Sequence, residues 1–427
     1  MRKTSIRLAA AGLAVLVTTV ACGMGDDRTS TSAQSGSGDT GSHSSTPSHG
    51  SSSGTDATAA GATGSDTAAS DLRAGLTNLL ADHVWLAGNA LETAVIKGGD
   101  LKNPEVQGAV KALDANSVSL SKAIGAAYPE AEKPFLASWR QHIGFFVDYT
   151  LGKATKDDAK VAKAEKDLDG YRTSFGQLIN SVVPELPADA VADELKPHVA
   201  LLFTAIDAAV AGQPDYQSKL RLAAEHMPMT AAILASGIAK NKGIEGDSSS
   251  KAAELRGGLT GLLNDHVWLA GNALHTAVRK GGDLEDPKVQ GAVKALDENS
   301  VALSKAIGAA YPEAEKPFLA SWRQHIGFFV DYTLGKATKD DAKVAKATKD
   351  LDGYRTSFGQ LINSVVPELP SDAVAEELKP HVSSLFAAID SMVAGKNDVQ
   401  SKLIEATSHM PMTAGALAGG IAKNKGL

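Results

Sequence analysis

Residues 82–91 read DHVWLAGNAL, and the same ten letters return at residues 265–274. The same offset relates residues 138–146 to residues 321–329, which both read SWRQHIGFF. Matches at a constant offset indicate that a long segment of the chain is duplicated in tandem. A period of this length is typical of a duplicated domain rather than of a solenoid repeat.

The duplication divides the chain into two predicted domains. Copy 1 is predicted to span residues 71–244 and copy 2 residues 254–427, and the polar linker EGDSSSKAA at residues 245–253 joins them. Each copy is long enough to fold around a core of its own.

Apolar residues at helical spacing predict the secondary structure of each copy. In copy 1 this spacing predicts a helix that contains DHVWLAGNAL and ends at Gly98–Gly99. Asn103–Pro104 has the pattern of an N-cap and a first helical residue, and it predicts a second helix to about Ala127. Thr155, with Asp158 three residues later, resembles a capping box and predicts the start of the fourth helix.

The same spacing predicts the remaining helices. The third follows Pro134, the fourth reaches Val183, the fifth spans about residues 189–211, and the sixth spans about residues 216–240. Runs of alternating β-branched residues are absent from the sequence. The predicted fold class is therefore all-α, with two tandem antiparallel bundles of about six helices each.

The first 22 residues, MRKTSIRLAAAGLAVLVTTVAC, combine a basic head, an apolar run and a small residue before Cys22. The run is too short to cross a membrane, and its pattern is typical of an export signal. Its ending, Thr19-Val20-Ala21-Cys22, resembles the lipobox of bacterial lipoproteins, although Thr19 stands where an aliphatic residue is usual. The resemblance implies a lipidated Cys22 and an extracytoplasmic protein held on the cell membrane by two acyl chains. An ordinary secretory signal is the alternative.

The segment after Cys22 has a biased composition. Residues 23–70 are rich in Ser, Gly, Thr and Ala, and they are predicted to form a flexible, disordered tether.

The formal net charge of −7 argues against nucleic-acid binding. Cys22 is the single cysteine, so no disulfide within the chain can stabilise the fold.

Four histidines per copy lie on or beside apolar helix faces and are candidate metal ligands. One such histidine is most often a core residue bonded to a carbonyl or carboxylate. Four on separate helices favour convergence, because sites in bundles are built from side chains of facing helices. His275 replaces Glu92 of copy 1 and is predicted to lie on the surface. The matched pairs are His83 and His266, His142 and His325, His198 and His381, and His226 and His409.

The pentapeptide HMPMT at residues 226–230 and 409–413 adds methionine to this set. Imidazole with thioether suits copper, and thioether favours Cu(I). His226 and Met229 are three apart and are expected to share a helix face, which Pro228 starts or kinks. The alternative is that methionine fills an irregular gap at the kink. The predicted ligands are His226, Met227 and Met229, completed by His83, His142 or His198, and in copy 2 His409, Met410 and Met412, completed by His266, His325 or His381.

A comparison of the two copies supports the choice of HMPMT as a candidate site. Residues 106–187 differ from their counterparts at only three positions, so identity there is uninformative. The flanks have drifted further, yet DHVWLAGNAL and HMPMT are unchanged. Leu222 is replaced by Glu405, which predicts that this turn of the sixth helix meets water.

The motifs of hydrolases, phosphate loops and paired-cysteine metal sites are absent from the sequence, so an enzyme is not favoured. The leading hypothesis is a surface-anchored lipoprotein whose two helical domains bind a ligand. Copper is the favoured ligand, for storage, buffering or sensing. The alternative is an envelope interaction or structural lipoprotein without a small-molecule site, in which duplication supplies avidity for a protein partner.

Overall fold

The structure is a computed structural model, and it describes residues 64–427. The predicted signal peptide with Cys22, and most of the predicted tether, lie outside the described residues. Within residues 64–427 the regular structure consists of fourteen α-helices and two short 3-10 turns, without a strand. This confirms the all-α prediction. None of these helices is long and apolar enough to span a membrane.

Each copy contributes seven α-helices in the same order. In each copy the first six helices pack side by side in chain order, and the first helix also packs against the seventh. Copy 1 comprises α1 (Ala68–Ile96), α2 (Pro104–Ala127), α3 (Glu132–Thr155), α4 (Asp158–Val182), α5 (Ala188–Ala211), α6 (Tyr216–Ala224) and α7 (Met227–Lys242). Copy 2 comprises α8 (Lys251–Arg279), α9 (Pro287–Ala310), α10 (Glu315–Thr338), α11 (Asp341–Val365), α12 (Ser371–Val393), α13 (Val399–Thr407) and α14 (Met410–Lys425).

The cap predicted for α2 is present, and the cap predicted for α4 is wrong. The Asn103 side chain accepts a backbone N–H of the first turn of α2 at 3.0 Å. Thr155 is instead the last residue of α3, where its hydroxyl donates to the Leu151 carbonyl at 2.8 Å. Asp157 caps α4 by accepting the Lys160 N–H at 3.0 Å. As the last residue of α3, Thr155 does not occupy the flanking position that precedes α4, which an N-cap of α4 requires.

The predicted sixth helix is two helices, because Pro228 lies in the first turn of α7. Proline lacks an N–H and clashes with the preceding turn, so the chain ends α6 at Ala224 and begins again at Met227. Each copy therefore has seven α-helices rather than about six. Pro197, in contrast, lies inside α5 without interrupting it.

The two copies pack against each other through α1 and α8, the helices that carry DHVWLAGNAL. The indole N–H of Trp85 donates to Asp265 Oδ1 at 2.7 Å, and that of Trp268 donates to Asp82 Oδ1 at 2.8 Å. Both tryptophans are fully buried. Such reciprocal contacts are those of a two-fold interface, formed here within one chain. This interface gives a structural reason why DHVWLAGNAL is unchanged in both copies.

Candidate metal centre

Three helices of copy 2 each bring one histidine to the centre of the bundle. His266 lies on α8, His325 on α10 and His381 on α12. One ring nitrogen of each lies within 4.8 Å of those of the other two. All three side chains are buried.

Copy 1 brings together the equivalent histidines His83, His142 and His198, which are buried as well. The Nε2 atoms of His83 and His142 are 3.2 Å apart, as in the equivalent pair of copy 2. Desolvation lowers the pKa of both other rings, and the nearby His198 lowers it further. The three rings of copy 1 do not all come within the 4.8 Å found in copy 2. The two centres are therefore alike in kind, and the centre of copy 2 is tighter.

A chain of hydrogen bonds fixes the protons of each centre. An indole N–H can only donate, so Trp322 Nε1–H donates to His266 Nδ1 at 3.3 Å. His266 must then hold its proton on Nε2, from which it donates to His325 Nε2 at 3.2 Å. We call this series of two hydrogen bonds the relay. Copy 1 has the same relay through Trp139, His83 and His142.

Burial keeps these histidines neutral. Desolvation, reinforced by a neighbouring histidine, lowers the pKa of His325 to about 3 and that of His381 to about 4. The same causes lower the pKa of His266 well below its usual value. Neutral imidazole is the form that binds metal, so the ring nitrogens stay available as ligands at neutral pH.

The relay does not satisfy every ring nitrogen. His198 Nδ1 and His381 Nδ1 are buried and have no hydrogen-bond partner among the described residues. His325 Nδ1 meets only the Trp322 carbonyl, at a geometry too poor for a full hydrogen bond. Buried polar atoms are rarely left in this way, and such atoms mark places where an ion or a water can bind.

A cavity of about 30 Å³ adjoins the centre of copy 2. His266, His381 and Met410 are among the side chains that line it. This volume holds one or two waters, and therefore one ion. Two nitrogen ligands of a tetrahedral ion lie about 3.3 Å apart when each bond is 2.0–2.1 Å long. The Nε2 atoms of His266 and His325, 3.2 Å apart, are already at that spacing.

His226 and His409 lie beside the centres, at the breaks before α7 and α14. His226 Nε2 is 3.1 Å from both the backbone carbonyl oxygen and the side-chain Oε1 of Glu194. These contacts hold the ring against α5. His226 still contributes to the low pKa of His198, after desolvation, and His409 does the same for His381.

The structure does not bring both methionines of HMPMT to the histidines. Met227 and Met410 are each 3% exposed, whereas Met229 and Met412 are 54% and 57% exposed. The expectation that His226 and Met229 share a helix face is wrong, because the His226 ring packs against Glu194 whereas the Met229 side chain is exposed. Residues two apart on a helix lie on nearly opposite faces, so one methionine of each pair faces inward.

Two aromatic residues near each centre were not assigned to it from the sequence. Tyr171 stacks on His142 with ring centroids 4.9 Å apart, and Trp139 donates to His83. Trp139 and His142 are three residues apart on α3, a spacing that could have linked them. Tyr171 lies on α4, so only tertiary packing brings it there.

His275, predicted to lie on the surface, is half-buried and belongs to the contact between the copies. Its Nε2 is 3.9 Å from Glu105 Oε1 of copy 1. Copy 1 has Glu92 at the equivalent position, so the two copies differ in the charge of this side chain.

The chain matches no protein-family model, no curated protein and no solved structure. Its function is therefore inferred from the chemistry of its sites.

Proposed function

We propose that this chain is an extracytoplasmic metal-binding lipoprotein, anchored through Cys22, with one histidine centre in each copy. The observation that carries the proposal is the convergence of His266, His325 and His381, with ring nitrogens within 4.8 Å of one another. Neutral imidazoles from several helices are a ligand set that transition metals favour. A centre enclosed in a bundle core leaves little room for a substrate, which suits storage, buffering or sensing.

Metal binding must disrupt the relay. A metal on His266 Nε2 requires the ring proton to move to Nδ1, where it faces the Trp322 N–H. Two opposed donors are both left without acceptors, at a cost of about 1–3 kcal/mol each. Apparent binding free energies of structural zinc in small domains are about 10–16 kcal/mol. The binding free energy of a metal is therefore larger than the cost of breaking the relay, although this cost lowers the affinity.

Met410 favours copper over zinc. Its sulfur-bearing side chain lines the same small cavity as His266 and His381. Thioether is a soft ligand that selects Cu(I), whereas zinc prefers thiolate, imidazole and carboxylate. We infer a copper centre of histidines and Met410, both from the predicted ligand set, and we leave out Met412 of that set because its side chain is exposed.

Metal stoichiometry of the whole mature chain tests the proposal. After loading with Cu(I) under anaerobic reducing conditions and desalting, we expect one ion per copy, bound more tightly in copy 2. His325→Gln is expected to remove the ion of copy 2 and to leave that of copy 1. His142→Gln is expected to do the reverse.

His275→Gln is the matched control, because it changes a half-buried histidine outside both centres. It is expected to bind as much copper as the wild type. Circular dichroism and thermal melting of each variant separate a lost ligand from a lost fold. The proposal is overturned if the wild type retains no copper, or if folded His325→Gln retains as much copper as the wild type.

A further inference from the structure

Copy 1 holds a second, much larger cavity of about 790 Å³ between α1, α2 and α3. Its lining runs from His83 in the core to Gly98 and Lys156, near the ends of α1 and α3. From residue 83 to residue 98, at 1.5 Å per residue, the lining is about 22 Å long. Dividing the volume by this length gives a mean cross-section of about 36 Å². The cavity is therefore long and narrow.

Its dimensions suit a single lipid tail. The hydrocarbon core of a bilayer is about 30 Å thick and holds two tails end to end, so one tail spans about 15 Å. Cavities of about 300–1,000 Å³ are the usual size for small-molecule sites. A linear chain with a head group fills this length, whereas a compact ligand leaves much of it unfilled.

The wall of the cavity excludes polar ligands. Most of its side chains are alanine, valine, leucine and isoleucine. Thr150 and Thr155 are exceptions, but their hydroxyls donate to the Phe146 and Leu151 carbonyls, each at 2.8 Å. Both ring nitrogens of His83 are engaged in the relay. A sugar or nucleotide would leave its own polar groups unsatisfied along this wall, at a cost of several kcal/mol, about 2–7 for each group.

One cation stands at the outer end. Lys156 lines the cavity there, is exposed, and ends α3 in the left-handed conformation with φ of 57°. Nearby lysines are paired: Lys153 with Asp207 at 3.0 Å, and Lys97 with Glu105 at 2.7 Å. The Lys156 ammonium forms no ion pair among the described residues. A free cation at the end of an apolar slot complements an anionic head group.

We propose that this cavity binds a long-chain fatty acid, with its tail along α1 and α3 toward His83 and its carboxylate at Lys156. The shape selects a linear tail, the wall selects hydrocarbon, and Lys156 selects an anion. His83 lines this cavity and also belongs to the centre of copy 1, but its two ring nitrogens are engaged in the relay, so the tail does not use them.

Displacement of a fluorescent polyene fatty acid, cis-parinaric acid, tests the proposal on the delipidated mature chain in the presence of bathocuproine disulfonate, which chelates Cu(I), and EDTA, which chelates divalent ions. We expect saturable binding at one site per chain, with displacement by oleate. Ala94→Phe narrows the cavity and is expected to weaken binding by at least about tenfold, roughly 1.4 kcal/mol. Lys156→Gly suits the left-handed backbone and is expected to weaken oleate binding about fivefold, as for an exposed ion pair, without weakening methyl oleate.

Lys339→Gly is the matched control, because Lys339 of copy 2 has the same φ of 57°. It is expected to bind oleate as the wild type does. The proposal is overturned if oleate does not displace the probe, if folded Ala94→Phe binds like the wild type, or if Lys156→Gly weakens the acid and the methyl ester equally. The two chelators remove copper and divalent metals from every arm, so these outcomes do not bear on the copper centre.

Discussion

Trp322 decides how readily His266 becomes a metal ligand. Its N–H holds the His266 proton on Nε2, the nitrogen that faces His325. In most metal sites the second nitrogen of a ligating histidine donates to a carboxylate, carbonyl or water. Here that nitrogen, His266 Nδ1, accepts a hydrogen bond from Trp322 instead. The metal-free centre therefore disfavours metal binding, and a mutation that removes this donor can raise the affinity.

Trp322→Phe is therefore expected to strengthen copper binding in copy 2. The change removes the opposed donor and keeps an aromatic ring in the core. Relief of one unsatisfied donor, about 1–3 kcal/mol, corresponds to roughly tenfold tighter binding. Competition with a chelator of known Cu(I) affinity measures this. Trp139→Phe, which changes only copy 1, is the control, and weaker binding in copy 2 of Trp322→Phe would contradict our proton assignment.

Met410→Leu tests the identity of the metal. Leucine conserves the volume of methionine, so the fold is expected to change by less than about 1.5 kcal/mol. Affinity for Cu(I) should fall, whereas affinity for zinc should be unchanged, because only copper gains from thioether. The exposed counterpart Met412→Leu should alter neither affinity. Equal losses for both metals in Met410→Leu would indicate a packing role for the side chain.

At the scale of the element, local patterns predicted one helix start correctly and another wrongly. Asn103–Pro104 marks a helix start in the sequence and in the structure, whereas Pro228, for which a start and a kink were both open, begins α7 within the predicted sixth helix. The exposure of Met229 could not be predicted in the same way, because the packing of His226 against Glu194 of α5 is a tertiary contact that the helical period does not show. The start of α4 was misplaced because two capping residues, Thr155 and Asp157, stand two positions apart.

Asp157→Ala is expected to lower the free energy of unfolding by about 1 kcal/mol, since it leaves the first turn of α4 without its acceptor. Thr155→Ala should cost less, because the Thr155 hydroxyl only bonds back to its own helix. Urea denaturation of both variants measures the difference. A larger loss for Thr155→Ala would restore the cap predicted from the sequence.

At the scale of the whole molecule, the packing of one copy on the other was not predicted from the sequence. Asp82 and Trp85 belong to a helix whose polar residues resemble a solvated face, and their partners are about 180 residues away. The hydrogen bonds across the interface also differ between the two copies, although the sequence of this segment is the same in both. Asp82 accepts from Trp268, Asn264, Asn78 and Thr407, whereas Asp265 accepts from Trp85.

This buried interface makes stability depend on pH through Asp82. Desolvation raises the pKa of Asp82 from 3.8 to about 6, against the opposing effect of its hydrogen bonds. A raised pKa in the folded state means that the contribution of Asp82 is fully present below pH 3.8 and is lost as the pH rises through about 6. The loss corresponds to about 3 kcal/mol.

Asp82→Asn isolates this contribution, because asparagine does not titrate and keeps an oxygen for the Trp268 N–H. Between pH 4 and pH 7.5 the free energy of unfolding of the metal-free variant, relative to that of the wild type, is expected to rise by about 2.4 kcal/mol, because part of the loss already occurs below pH 4. The histidines, whose low pKa values destabilise both proteins in acid, cancel in this difference. Urea denaturation at each pH measures it, and a difference that stays constant across this range would show that Asp82 keeps an ordinary pKa between the two copies.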